Sequence, residues 1–105
     1  MFCSFEKNPM ILRLYGSGRT YHPDSREWKK LIELFPEKIG NRQIFDIDID
    51  LVQTSCGYQV PYFEYQGERV TLDKWAKKKG RKGIKSYWRK KNQLSLDGKP
   101  TGIPV

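Results

Sequence analysis

Between Phe45 and Leu51 the chain reads Phe-Asp-Ile-Asp-Ile-Asp-Leu, with apolar residues at 45, 47, 49 and 51 interleaved with Asp46, Asp48 and Asp50. Side chains alternate between the two faces of an extended chain, so a strict period of two sorts apolar from charged residues only if the segment is a strand. Arg42–Gln53 is therefore expected to form a strand with one face buried and the other in water or against a partner. Whatever else the chain forms must supply a cover for that apolar face.

The flanking segments offer further elements. Met1–Phe5 and Ile11–Tyr15 are short aromatic or aliphatic runs joined through Asn8 and Pro9, which predicts a β-hairpin. Gly16-Ser17-Gly18 allows a bulge or bend before Arg19–Tyr21 continues extended. Asp24-x-x-Glu27 has the logic of a capping box, and Trp28, Leu31, Ile32 and Phe35 follow at helical spacing before Pro36. Pro61–Tyr65 reads as a short extended piece. Thr71 is a plausible N-cap for Leu72–Lys79 with Gly80 as the stop, and Ile84–Asn92 reads as another helix. From Ser95 onward, Pro100 and Pro104 predict turns and coil.

A length of 105 residues fits one small domain, and the aromatic share of 13% is enough to fill a compact core. The longest apolar runs fall far short of the roughly 18 residues that a membrane span needs, and the N-terminus is no signal peptide, so a soluble, cytoplasmic protein is expected. Cys3 and Cys56 have neither CxxC spacing nor a second pair, which predicts reduced thiols and no zinc site. The net charge of +8 is unevenly distributed: ten Lys or Arg lie between Lys74 and Lys91 with no acid among them, while the other ten cations stand against all twelve acids. One segment holds the whole excess.

Each candidate site has a plain alternative. Asp46, Asp48 and Asp50 could hold Mg²⁺ or work as acid and base, but strand alternation alone accounts for a solvated face. His22 has no partner at ligand spacing, and a surface or capping role suits it better. Cys56, in Gln53-Thr-Ser-Cys-Gly57, sits where a strand ends and sites are commonly built; a catalytic thiolate would need a base that the sequence does not name. Gly16-x-Gly18 lacks the third glycine and following helix of a dinucleotide loop. The cations of residues 74–91, with Trp75, Tyr87 and Trp88 as stacking surfaces, match a nucleic-acid footprint. Those aromatics also fall at core spacing on two amphipathic helices, so a lysine-rich solvated face is the expected reading, ahead of nucleic-acid binding by residues 74–91.

Taken in order, Ile11-Leu-Arg-Leu-Tyr-Gly16 with Gly18-Arg19, Trp28 to Phe35, Val52-Gln-Thr-Ser-Cys-Gly-Tyr58 with Pro61, Leu72-x-x-Trp75-Ala76-x-Lys78-Lys79-Gly80, Tyr87, Lys91-Asn92 and Ser95-x-Asp97-Gly98 resemble the pyridoxamine 5′-phosphate oxidase-like, FMN-binding split-barrel family. The similarity runs over nearly the whole chain and corresponds to the C-terminal half of that domain. It implies an α+β fold: antiparallel strands of a split β-barrel, incomplete at the N-terminus, with two to three amphipathic helices. Residues 1–105 would form a single domain portion with a basic helical segment at 71–92. The resemblance further implies a homodimer with FMN at the interface and flavin-dependent redox chemistry on a small substrate; some members take haem or a deazaflavin instead. By position, Arg13 would face the cofactor or the dimer seam, and Gln53, Ser55, Cys56 and Gly57 would line the flavin ring. A basic nucleic-acid-binding module and a non-catalytic dimer partner remain as alternatives.

Overall fold

The computed structural model describes all 105 residues, Met1–Val105, in an α+β arrangement. Strands β1 (Phe2–Cys3), β2 (Met10–Tyr21) and β3 (Ile44–Cys56) form one open sheet in the order β1-β2-β3. Helix α1 spans Arg26–Leu31 and continues into a 3₁₀ turn at Ile32–Leu34, and α2 spans Thr71–Lys91. Two compact units divide the chain: Met1–Arg19 with Asp46–Glu68, and Thr20–Phe45 with Arg69–Val105.

In the first unit the expected hairpin forms. β1 pairs antiparallel with β2, Phe2 opposite Leu12 and Cys3 opposite Ile11, and the Ser4 amide donates to the Met10 carbonyl at 2.9 Å. Through Gly16-Ser17-Gly18 the strand stays extended. A β-carbon on Gly16 would run into the backbone carbonyl of Asp48, so glycine is required there by the close approach of β3. β3 carries the predicted alternation and continues past it to Cys56. The expectation of one buried face fails within this chain: Ile47, Ile49 and Leu51 are 55%, 47% and 55% exposed, and the intervening aspartates are exposed too. Residues 61–65 form no strand, although the Phe63 amide reaches the Phe5 carbonyl and their rings meet edge to face at 5.2 Å.

The second unit contains the core. Its helix α1 is capped by Ser25, not Asp24: the Ser25 hydroxyl accepts from the Trp28 amide at 3.1 Å and itself donates to the His22 carbonyl. Ser25 takes the role because the helix begins at Arg26, which makes Ser25 the extended residue immediately before the first turn. Trp28 is buried, whereas Phe35 lies beyond the helix and is exposed. Gly80, at φ 64° and ψ 171°, divides α2 into two helical segments, so the predicted stop is realised as a kink. That backbone region is open essentially to glycine alone. Ala76, Ile84 and Trp88 pack together with Ile103, against which Ile39 is half-buried. Ile103 belongs to the tail that the sequence assigns to coil. It is held there by Gln93, whose amide donates to the carbonyls of Trp88 and Ile103, and by Thr101, whose hydroxyl donates to the Asn92 carbonyl, an acceptor that the helix end leaves open. Trp75 and Tyr87, expected in the core by their spacing, are 36% and 40% exposed.

Candidate functional site

Arg13 and Ser55, distant in sequence, meet across the sheet. The Arg13 guanidinium donates to the Ser55 hydroxyl at 2.8 Å in a part-buried setting. Two residues along each strand, the Tyr15 hydroxyl stands 3.4 Å from the Gln53 side-chain oxygen. As one index rises by two the other falls by two, the relation expected of antiparallel neighbours, and it puts all four side chains on one face. Arg13 thus has one of its five donors engaged by a neutral hydroxyl, with no acid bonded to it. The guanidinium is thus anchored at one nitrogen, with no paired carboxylate and with donors left over for an acceptor on that face.

Cys56 projects to the opposite face by strand alternation and is an exposed free thiol, while Gly57 is buried at the start of the following turn. A β-carbon at Gly57 would lie 2.7 Å from the Met10 amide nitrogen, so no side chain fits. Residues Cys56 to Pro61, with Cys3, Phe5 and Ile11, line a shallow cleft of about 450 Å³. The structure therefore brings Arg13, Gln53 and Ser55 together and places Cys56 and Gly57 at the strand's end beside them in sequence. Tyr15 escaped the sequence reading, although its position two residues from Arg13 was the available signal.

The aspartates of β3 do not converge on a site. Asp48 makes an exposed pair with Arg19 at 3.6 Å, and no group of three His, Cys, Asp or Glu side chains is placed to hold a metal. His22 contributes through its carbonyl to the α1 cap. Two exposed groups have altered acidity: a hydrogen bond to Glu68 raises the Tyr65 hydroxyl, and hydrogen bonds from Lys99 and then Ser95 lower the Asp97 carboxyl. Neither stands near Arg13 in sequence. No helix is long and apolar enough to cross a membrane.

No family model matches the chain, and no solved structure matches it. Among curated proteins it is 30% identical, over 115 aligned positions, to an Aspergillus flavus protein named pyridoxamine 5′-phosphate oxidase family protein ustO. The match takes in 95% of this chain and 46% of that protein, so the chain spans about half the length of the relative. Over nearly its whole length, this chain is thus similar to part of a protein named for the pyridoxamine 5′-phosphate oxidase family.

Proposed function

We propose that the chain is the C-terminal portion of a split-barrel flavin domain, which binds FMN with Arg13, Ser55 and Gln53 and serves a flavin-dependent oxidoreductase acting on a small substrate. The observation that carries this reading is the Arg13–Ser55 clasp beside Gln53 on one sheet face, in a chain related to a protein of that family name. The donor set suits the group. A flavin's pyrimidine edge presents carbonyl oxygens and an N–H; Arg13 offers permanent donors, and the Gln53 amide both donates and accepts. When bound, the flavin supplies the electron chemistry, and the protein's part is to hold the ring and keep water from it.

The same reading includes a homodimer in the cytoplasm. Support for the dimer comes from the sheet, whose outer strands β1 and β3 leave edges unpaired and whose β3 exposes Ile47, Ile49 and Leu51. Titration of the purified chain with FMN, followed by flavin fluorescence and its visible band, tests the site. Retention of FMN through gel filtration is expected, and Arg13→Gln is expected to weaken binding about tenfold or more, as for loss of a charged hydrogen bond. FMN that binds Arg13→Gln as well as wild type, or that neither protein retains, overturns the assignment of these residues.

A further inference from the structure

The ten cations between Lys74 and Lys91 all lie on exposed positions of α2. Only Arg81 has a carboxylate within ion-pairing distance, Glu37 at 2.9 Å; the other nine have none. Neighbours such as Lys74 and Lys78, or Lys85 and Arg89, stand four apart within a single helical segment, where like charges repel. A surface whose task is solubility mixes both signs. Apart from the Arg81–Glu37 pair this one is unopposed, and it is directed outward because Ala76, Ile84 and Trp88 take the inward positions.

Two aromatic side chains alter what such a surface can hold. Trp88, on the same helix, is buried to 8% exposure, while Trp75 and Tyr87 remain 36% and 40% exposed and meet edge to face at 5.2 Å. The Lys79 ammonium stands 5.9 Å from the Trp75 ring. Both aromatics line a concavity of about 500 Å³ that also includes Leu72, the half-buried Arg42 and Asn41, and its one acid, Asp73, is paired with Lys38 at 3.0 Å. Arg42 has no acid partner.

We propose that this face of α2 binds single-stranded nucleic acid, with bases stacking on Trp75 and Tyr87 and the flanking lysines and arginines holding the phosphates. Aromatic platforms beside a track of cations are the combination that single strands use, because every base has a π face and every nucleotide a phosphate. A duplex keeps its bases stacked and offers the aromatics nothing. An anionic membrane is the poorer fit, since an interfacial helix turns a broad apolar face to the acyl chains, whereas here that face packs into the protein and Leu72 is the exposed aliphatic residue of α2.

The test is fluorescence anisotropy of the full chain with a labelled single-stranded oligonucleotide, its duplex, and phosphatidylserine vesicles, across a salt series. The single strand is expected to bind best, with affinity falling as salt rises. Replacing Lys77, Lys78 and Lys82 by Gln is expected to reduce the slope of log K against log salt by about 2, at roughly 0.7 per lost phosphate contact. Trp75→Leu and, independently, Tyr87→Leu are each expected to weaken binding about tenfold without changing that slope, with folding checked by circular dichroism. Absence of binding at low salt, equal binding of the duplex, tighter binding of the vesicles, an unchanged slope in the triple variant, or full affinity in both folded aromatic variants overturns the proposal. None of these residues belongs to the proposed flavin set, so FMN affinity should be unchanged in every variant, and failure here leaves that reading untouched.

Discussion

The two units of this chain use similar apolar residues to opposite effect. Thr20–Phe45 with Arg69–Val105 contains every buried apolar side chain: Trp28, Ile44, Ala76, Ile84, Trp88 and Ile103. Met1–Arg19 with Asp46–Glu68 contains none, although Phe2, Ile47, Ile49, Leu51 and Phe63 lie in it. The difference is one of layers. In the helical unit the segments of α2 on either side of Gly80 contribute to one core, and the tail returns to add Ile103. The strand unit is a sheet with no helix of its own to lie across it, and a single layer cannot bury its apolar face. Periodicity identifies which residues share a face; it does not say what covers that face.

The largest effect should follow from removing the centre of the helical core. Trp88→Ala is expected to cost about 3–5 kcal/mol, much of the 5–15 kcal/mol that a small domain possesses. Denaturant unfolding followed by tryptophan fluorescence measures the loss. A cost below about 1 kcal/mol, the size of an ordinary surface change, would show that this unit is no better packed than the sheet.

Gly80→Ala comes next, because it tests whether that core depends on the kink. A side chain at φ 64° and ψ 171° is expected to cost about 1–3 kcal/mol. The alternative for the variant is to straighten α2, which would raise helical circular dichroism while separating Ala76 from Ile84 and Trp88. A variant as stable as wild type with unchanged spectrum would mean that the kink is dispensable to the core.

Much of this was legible in the residues themselves. The hairpin, the strand of alternating aspartates, the α1 pattern and the break at Gly80 are local features, set by turn chemistry, period and glycine's freedom, and each occurs close to where the sequence puts it. One miss is local, since α2 begins at Thr71 itself and Thr71 does not cap it; the others are matters of tertiary context. Trp75 and Tyr87 have core spacing yet remain exposed, Ile103 lies in a proline-bounded tail yet enters the core, and the cap shifts from Asp24 to Ser25 because the helix begins one residue later than the acid would need. Of the candidate site, Arg13, Gln53 and Ser55 were named from a family resemblance; no local rule pairs residue 13 with residue 55, since cross-strand register depends on the whole sheet.

Ser25→Ala provides a smaller probe of the helical unit. Loss of the hydroxyl that receives the Trp28 amide is expected to cost about 1 kcal/mol, typical of an N-cap. Asp24→Ala should cost less, since Asp24 makes no capping contact, and thermal melts of the two variants decide between the caps. Equal costs would return Asp24 to the capping role.

The smallest effect is expected where sequence alone predicts a large one. Ile49 lies in the middle of the alternating strand and would be a core residue if that face were covered, but it is 47% exposed in this chain. Ile49→Thr keeps the β-branch that suits a strand and removes apolar surface, so in dilute solution it should change stability by no more than about 0.5 kcal/mol. The same substitution should act strongly on association: light scattering at rising concentration is expected to show wild type self-associating through the exposed stripe and the variant remaining smaller. If Ile49→Thr instead destabilises the dilute, monomeric chain by the 1–3 kcal/mol range of a buried side chain, its face is covered within a single chain, and the contrast between a unit with a core and one without disappears.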